Sequence, residues 1–141
     1  MSSRISVEEF NQFVESAFAG DRTAPQAIEF GDGYAKVQLK YSESFLRPGG
    51  VISGPTQMSL ADTSMYAAIF TKVGITPMAL TSNLNMNFLR PCIAENVIAI
   101  CRIMKIGRKL AVGEVEIGGE SQIVAGKPAS HAIVTYAMPS E

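Results

Sequence analysis

Residues 53–74 read SGPTQMSLADTSMYAAIFTKVG, and this stretch decides the fold. Pro55 suits the first turn of a helix, where its missing N–H would have no partner anyway, and Gly74 suits the end. Apolar side chains lie on almost every face of the helix between them, so the rest of the protein should surround it. We therefore predict a central core helix from Gly54 to Val73.

The segments before this helix predict a shorter helix, two strands and a loop. Ser6 and Glu9 have the spacing of a capping box, and the apolar residues after them recur at helical intervals. The expected elements are a helix over Val7–Ala19 that ends at Gly20, strands over Ala27–Phe30 and Tyr34–Tyr41, and a loop over Ser42–Ile52.

After the central helix the chain predicts strands only. They are expected over Met78–Leu89, Asn96–Ile106, Leu110–Ile117 and Gln122–Ala137, with a turn at Gly118–Gly119 and an interruption near Pro128. In the first of these strands, alternation would give one apolar row and one polar row, the latter facing solvent or another subunit: Thr81, Asn83, Asn85 and Asn87. The order of elements predicts an α+β fold, in which a mostly antiparallel sheet surrounds one buried helix.

Length and composition limit the possible functions. The 141 residues suffice for one domain, and the net charge of −1 offers no basic surface for nucleic acid or an anionic membrane. Two cysteines and one histidine exclude a disulfide scaffold and a zinc site made from those residues, so we expect no metal and no cofactor. The N-terminus has no apolar leader and residues 48–71 are a poor membrane span, so we expect a cytoplasmic protein.

Asp62 is the first candidate for chemistry. It is the only charged side chain between Pro48 and Thr71, in the middle of the most apolar helix. A carboxylate there loses hydration that a surface position would keep. In a crevice such a group is a candidate general base or nucleophile. Alternatively, Asp62 complements the helix dipole or accepts hydrogen bonds from buried hydroxyls.

Gly54 is the second candidate. Its N–H lies at the positive end of the predicted helix and, without a side chain, can be approached closely by a carbonyl oxygen. Alternatively, Gly54 simply starts the helix beside Pro55. Gly54 and Asp62 are separated by roughly 12 Å along a helix. They could therefore act on one carbonyl only from different subunits of a two-fold dimer.

The residues around Gly54 and Asp62 resemble those of a known family, the hotdog-fold acyl-CoA thioesterases of the phenylacetate-pathway (PaaI) type. The central-helix motif of that family is His-Gly-Gly, six residues, then Asp, and Ser53–Thr63 follows it loosely. The likeness covers roughly Tyr34–Ala137 and continues, in order and spacing, in Asn85–Pro91, Lys105–Lys109, Val124–Ala125 and Thr135–Tyr136.

The resemblance implies a hotdog fold, in which a curved antiparallel sheet wraps one long central helix. It also implies an acyl-CoA thioesterase that works as a homodimer or as a dimer of such dimers. Gly54 matches the glycine whose N–H polarises the thioester carbonyl, and Asp62 matches the carboxylate that activates water, or attacks the carbonyl, from the partner subunit. Thr81 lies near the position whose hydroxyl helps to place the water, but alternation leaves open whether Thr81 or Ser82 points to the helix.

The chain departs from the family pattern beside Gly54. Ser53 replaces the histidine, Pro55 replaces the second glycine, and Arg47 falls where the family often has Asn or Gln. We expect Ser53 and Arg47 to lie beside the substrate carbonyl and Met58 beside the acyl group. The phosphates of CoA would need cations, for which the candidates are Arg90, Arg108 and Lys109.

Three other functions are alternatives to hydrolysis. A hydratase or dehydratase of this fold needs a histidine beside a carboxylate, and residues 51–74 contain none. A cysteine–histidine nucleophile would have to combine His131 with Cys92 or Cys101, which lie far from it in the sequence. A non-catalytic hotdog protein that binds acyl-CoA or another ligand is consistent with the replaced residues beside Gly54.

Overall fold

The computed structural model describes residues 2–17 and 24–140. In chain order, the elements within these ranges are helix α1 (Val7–Ala17), strands β1 (Gln26–Gly31), β2 (Tyr34–Leu39), β3 (Leu46–Arg47) and β4 (Val51–Ile52), helix α2 (Gly54–Val73), strands β5 (Leu80–Phe88), β6 (Val97–Ile106) and β7 (Leu110–Gly119), helix α3 (Glu120–Val124) and strand β8 (Ser130–Ala137). A single 3-10 turn at Glu43–Phe45 precedes β3. None of the helices in the described ranges is long and apolar enough to cross a membrane.

An antiparallel sheet surrounds α2. In the described part of the chain its strands lie in the order β1-β2-β6-β7-β8-β5, and all six contact the helix. Because the strands cover α2 from several sides, half of its 20 residues are buried, and the burial of their apolar side chains is the main stabilising contribution to such a core. The predicted α+β hotdog architecture, with Gly54–Val73 as its central helix, is confirmed.

The ends of α2 form where the sequence predicts them. The Ser53 hydroxyl accepts a hydrogen bond from the Thr56 N–H (3.2 Å), as an N-cap residue does. Gly74 follows the last turn with a φ of 83°, a left-handed angle that favours glycine. Between these ends, small residues such as Ala67 and Ala68 are fully buried, which lets the strands approach the helix closely.

The N-terminal helix begins as predicted. The Ser6 N–H donates to Glu9 Oε1 (2.9 Å) and the Glu9 N–H donates to Ser6 Oγ (3.0 Å), so the capping box is formed. Phe10 is fully buried and packs edge-on against Phe70 of α2, with 5.8 Å between the ring centroids. α1 therefore covers one end of the central helix. The predicted end of α1 at Ala19 and Gly20 lies outside the described residues.

The prediction of a loop over Ser42–Ile52 is wrong. The segment contains the 3-10 turn and the hairpin β3–β4, because Gly49 and Gly50 supply positive φ angles (101° and 75°) for a tight turn between the two strands. The Ile52 N–H then donates to Cys92 O (2.9 Å), which ties the hairpin to the chain beyond β5. This hairpin leads directly into the first turn of α2.

Three strand boundaries in the prediction are also wrong. β7 continues through the expected turn at Gly118–Gly119, and the Gln122 side chain accepts the Gly119 N–H (2.9 Å). That bond turns the chain into α3, so the last strand starts at Ser130 rather than Gln122. β2 ends at Leu39 instead of Tyr41, because the Tyr41 N–H donates to the Asn96 side chain (2.8 Å) rather than to a strand.

The two edges of the sheet differ in how they are covered. Asn11 of α1 bonds both the N–H and the C=O of Ala27 (2.8 and 3.0 Å), and a bulge before Glu29 interrupts the β1 edge. β5 is longer and, within the described residues, pairs with β8 alone. Its outer backbone groups are therefore open to a strand of another chain.

Gly113 of β7 permits the close approach of the sheet to α2. A Cβ at Gly113 would lie 2.6 Å from Met65 Sδ and 3.0 Å from Arg102 O, and Met65 is completely buried. We expect Gly113→Ala to lower the free energy of unfolding by about 1–3 kcal/mol through overpacking. The control Gly31→Ala, where the nearest contact is an ordinary 3.5 Å, should change it by less than about 0.5 kcal/mol. Urea unfolding measures both, and equal effects would contradict the packing.

Candidate active site

One face of α2 carries two of the residues predicted for catalysis and one predicted to contact the acyl group. Gly54, Met58 and Asp62 follow one another at steps of four residues, so they lie along the same side of the helix. Because the helix is continuous over this stretch, Gly54 and Asp62 are about 12 Å apart along its axis. One carbonyl group cannot contact both of them within a single chain.

The Gly54 N–H is the free donor of the first helical turn. The Ser53 N–H donates to Phe45 O (2.9 Å), the Thr56 N–H donates to the Ser53 hydroxyl, and Pro55 has no N–H. Among the described residues, no group accepts a hydrogen bond from the Gly54 N–H. This donor is therefore available to a ligand at the positive end of the helix.

Strand β5 runs alongside α2 from Asp62 to Gly54. At its last residue, the ring of Phe88 lies against Gly54, since a Cβ at position 54 would be 3.4 Å from Phe88 Cζ. Near its first residue, Thr81 hydrogen-bonds to Asp62. The open edge of the sheet therefore borders both candidate catalytic groups.

Asp62 is held by two hydroxyls of the sheet. Thr81 Oγ1 donates to Asp62 Oδ1 (2.5 Å), and the Tyr136 hydroxyl of β8 donates to the same oxygen (2.8 Å). Thr81 and Tyr136 are direct partners in the β5–β8 pairing, so the sheet itself brings the two hydroxyls together. Asp62 accepts hydrogen bonds, as the alternative hypothesis stated, but within the described residues its Oδ2 receives none.

A β-bulge determines which hydroxyl reaches Asp62. Thr81 pairs with Tyr136 and Asn83 pairs with Thr135, so Ser82 is an extra residue without a partner. The prediction that Thr81 shares a face with the asparagines is therefore wrong. The extra residue reverses the alternation and turns Thr81 towards α2, while Asn83 stays on the opposite side. Thr81, and not Ser82, hydrogen-bonds to Asp62.

Tyr136 is a residue of this site that the sequence patterns did not single out. Every second side chain of β8 from Ser130 to Tyr136 is buried on the helix side of the sheet, and Tyr136 is only 3% exposed. Burial raises the pKa of the Tyr136 hydroxyl well above its ordinary value, and the Asp62 carboxylate raises it further. The hydroxyl therefore stays protonated and remains a donor. The sequence signal that could have indicated this residue is a tyrosine hydroxyl at the end of the buried row of β8.

The three residues predicted to lie beside the substrate are at the start of α2, on its exposed face and on the hairpin that precedes it. Ser53 caps the helix, and its hydroxyl lies 2.8 Å from that of Thr56. Met58 is 42% exposed on the helix face described above. Arg47 lies on the β3–β4 hairpin, is exposed, and donates from Nε to Pro48 O (3.1 Å).

The candidate cations lie at two separate ends of the sheet. Arg90 follows β5 at its Phe88 end and donates to Pro128 O. Arg108 and Lys109 lie in the turn between β6 and β7. This turn is near the Leu80 end of β5, because Leu80 and Leu110 both pair with Ala137 of β8. All three side chains are exposed. The fold of a single chain does not bring them together.

His131 lies on the outer side of the sheet. It lies five positions before Tyr136 in β8, so its side chain is on the opposite face of the sheet and points away from Asp62. Its Nε2 is 3.2 Å from Glu114 Oε2. His131 is the only histidine in the sequence. A histidine–carboxylate pair of the hydratase type is therefore not formed at Asp62 within the chain. The described ranges also contain no group of three His, Cys, Asp or Glu side chains that could hold a metal ion.

The fold defines a class of protein, the hotdog thioesterases. The thioesterase superfamily matches residues 49–125, which is more than half of the chain. The chain therefore belongs to the thioesterase superfamily, and its enzyme class is that of the thioester hydrolases.

Individual relatives agree with this assignment. A Haemophilus influenzae protein named as a candidate esterase is 25% identical over 117 residues, which are 82% of this chain and 83% of the relative. The crystal structure of a candidate thioesterase from Silicibacter sp. TM1040 is 28% identical and superposes with a TM-score of 0.87, over 99% of this chain and 96% of that one. The E. coli PaaI protein, from the phenylacetic acid degradation operon, shares the fold with a TM-score of 0.74 at 20% identity, over 96% of this chain and 97% of that one.

Both cysteines are unsuited to nucleophilic catalysis. Burial raises the pKa of Cys92 to about 11 and that of Cys101 to about 12, and the thiolate is the reactive form. We therefore expect neither thiol to react with Ellman's reagent at pH 8 in the native protein, and both to react once urea unfolds it. Rapid reaction of one thiol equivalent in the native protein would show that a reactive cysteine exists.

Proposed function

We propose that the protein hydrolyses an acyl-CoA thioester to a carboxylate and free CoA. The Gly54 N–H holds the thioester carbonyl oxygen, and Asp62 acts as the general base. Asp62 Oδ2 takes a proton from a water molecule while the water oxygen bonds to the carbonyl carbon. The C–S bond then breaks, and the departing CoA thiolate takes up the proton that Asp62 accepted. The carboxylic acid that forms loses its remaining proton to solvent and leaves as the carboxylate. The step uses no metal and no further cofactor.

The observation that carries this proposal is the pair of unsatisfied groups on one face of α2. A free N–H at a helix N-terminus stabilises the negative charge that develops on a carbonyl oxygen. A carboxylate with one oxygen fixed and the other unbonded can accept a proton in a defined direction. Because the two groups are about 12 Å apart in one chain, we assign each active site to two subunits.

The open edge of β5 provides the geometry for such a homodimer. When two copies of β5 pair antiparallel about a two-fold axis, the Leu80 end of one strand lies beside the Phe88 end of the other. Asp62 is held near the first end and Gly54 contacts the second. The pairing therefore brings Asp62 of one chain towards Gly54 of the partner subunit and creates two equivalent sites.

Exposed apolar side chains on and beside β5 support this interface. They are between 42% and 63% exposed in the single chain: Met58, Met78, Leu80, Phe88 and Leu89. Such a group of apolar residues is typical of a protein–protein contact or a ligand site. In the proposed dimer these residues cover the partner subunit or the acyl group, with Met58 beside the latter. The outer face of the sheet stays free for contacts in a dimer of dimers.

The same pairing brings together the two groups of candidate cations. Arg90 lies near the Gly54 end of β5, and Arg108 and Lys109 lie near the Asp62 end. In an antiparallel dimer these ends come from different subunits and flank one active site. We assign the three side chains to the CoA phosphates, which charge-assisted hydrogen bonds would hold at the surface.

The departures from the family motif are compatible with hydrolysis. Ser53 takes over the N-cap of α2, so the first turn stays ordered without the histidine. Pro55 removes one N–H from the first turn but leaves the Gly54 N–H free. The donor that the reaction needs is therefore kept. The chain lacks the two side chains that the family places beside the carbonyl, the histidine at position 53 and the Asn or Gln at position 47.

Asp62→Asn tests the assignment of the base. Asparagine keeps an oxygen that can accept the bonds from Thr81 and Tyr136, so the fold should remain, with stability unchanged or slightly raised. It cannot take a proton from water, so kcat should fall by about 100-fold or more. Steady-state hydrolysis of a panel of acyl-CoAs measures this. Asp32→Asn, whose carboxylate pairs with Lys72 (3.2 Å) beside the β1–β2 turn, is the control that should keep kcat.

Two outcomes would overturn the proposal in different ways. If Asp62→Asn retains more than half of the wild-type rate, Asp62 is not the base. If the wild-type protein binds acyl-CoA but hydrolyses no member of the panel, it is the non-catalytic acyl-CoA-binding protein considered as the alternative.

A further inference from the structure

The hydroxyl of Tyr136 is buried at the point where the sheet meets Asp62. It lies 2.8 Å from Asp62 Oδ1 and 3.0 Å from the Asp62 backbone oxygen, so its single proton is donated to this one residue. A buried hydroxyl without a partner would be costly, and Asp62 provides one. Tyr136 thus contacts the proposed base but lies behind it, on the side of the core.

Both hydrogen bonds from the sheet end on the same carboxylate oxygen. Thr81 and Tyr136 donate to Asp62 Oδ1, and no donor among the described residues reaches Oδ2. Hydrogen bonds to a carboxylate favour its ionised form and fix its orientation. The two oxygens are therefore unequal: one is bound to the protein and the other is free.

The surroundings of Tyr136 hold its ring in place. The ring packs against that of Tyr66, one helical turn after Asp62, with 6.0 Å between the centroids. In the sheet, Tyr136 lies between Thr81 of β5 and Ala111 of β7. Burial raises the pKa of its hydroxyl well above the ordinary value, and among the described residues the charges of Asp62 and Tyr66, both from α2, raise it further. The Tyr136 hydroxyl therefore remains a hydrogen-bond donor to Asp62.

We propose that Tyr136 is a positioning residue for the base: its hydroxyl fixes Asp62 Oδ1, so that Oδ2 is the oxygen that takes the proton from water. This inference rests on the proposed function and deepens it. Thr81 lies on the exposed side of the same oxygen and Tyr136 on the buried side. Tyr136 therefore orients the carboxylate without contact with the substrate.

Tyr136→Phe removes the hydroxyl and keeps the ring. Without this donor the ionised carboxylate is less favoured, so the acid limb of the kcat/KM profile should move to higher pH by about one pH unit. Because the Asp62 carboxylate is no longer held in one orientation, kcat at pH 7 should also fall about tenfold, with KM for the acyl-CoA nearly unchanged. The control is Tyr66→Phe, which loses a hydroxyl that bonds Pro77 O (2.9 Å) and not Asp62. It should leave the acid limb in place.

A second measurement does not depend on activity. The carboxyl carbon of Asp62, followed by NMR during a pH titration, should show a higher midpoint in Tyr136→Phe than in the wild type and in Tyr66→Phe. If Tyr136→Phe does not fold, Tyr136→Met, which also fills the space without a hydroxyl, replaces it in both experiments.

The outcomes separate this inference from the proposed function. If the wild type hydrolyses acyl-CoA and Asp62→Asn does not, while Tyr136→Phe keeps the wild-type acid limb and titration midpoint, the positioning role of Tyr136 is wrong and Asp62 remains the base. If the wild type shows no hydrolysis, the proposed function fails. In that case, an unchanged midpoint in the NMR titration of Tyr136→Phe would also show that the hydrogen bond from Tyr136 does not affect the Asp62 carboxylate.

Discussion

The structure depends on the burial of one helix that is apolar on nearly every side. The apolar side chains of α2 can be buried on several sides only if strands surround the helix, and six strands contact it. A sheet that wraps a helix without closing must have two edges. Asn11 covers one of them, at β1, whereas the β5 edge is open beside the single carboxylate of α2 and beside its first turn. The requirement to bury α2 therefore also places the proposed active site beside the open edge of the sheet.

A single extra residue in β5 determines which hydroxyls reach Asp62. Without the bulge at Ser82, Thr81 would lie on the outer side of the sheet with the asparagines, and Asp62 would receive one hydrogen bond from the sheet instead of two. With it, two neighbouring strands each deliver a hydroxyl to one oxygen of the carboxylate. Local bends of this kind are common beside active sites, since they redirect a side chain at little cost to the remaining pairing.

The sequence predicts the central helix and its two candidate catalytic groups, because each differs clearly from the residues next to it in the sequence. Asp62 is the only charge in an apolar stretch, and Gly54 precedes a proline at a helix start. The hairpin β3–β4 and helix α3 could not be predicted from periodicity, because two-residue strands and a five-residue helix are too short to show a period. The bulge could not be predicted, because it depends on the pairing of β5 with β8, which lie far apart in the sequence. Tyr136 was missed for the same reason: only the register of β8 against β5 shows that its hydroxyl reaches Asp62.

The claim that each active site is shared between two subunits is tested most directly by mixing two inactive variants. Asp62→Asn keeps the N–H donor and loses the base, whereas Gly54→Val keeps the base and places a side chain where the carbonyl must approach. After unfolding and refolding together in equal amounts, random pairing makes half of the dimers mixed, each with one intact site, so about a quarter of the wild-type activity should return. If the mixture stays as inactive as its parents while native mass spectrometry shows mixed dimers, the shared site is wrong.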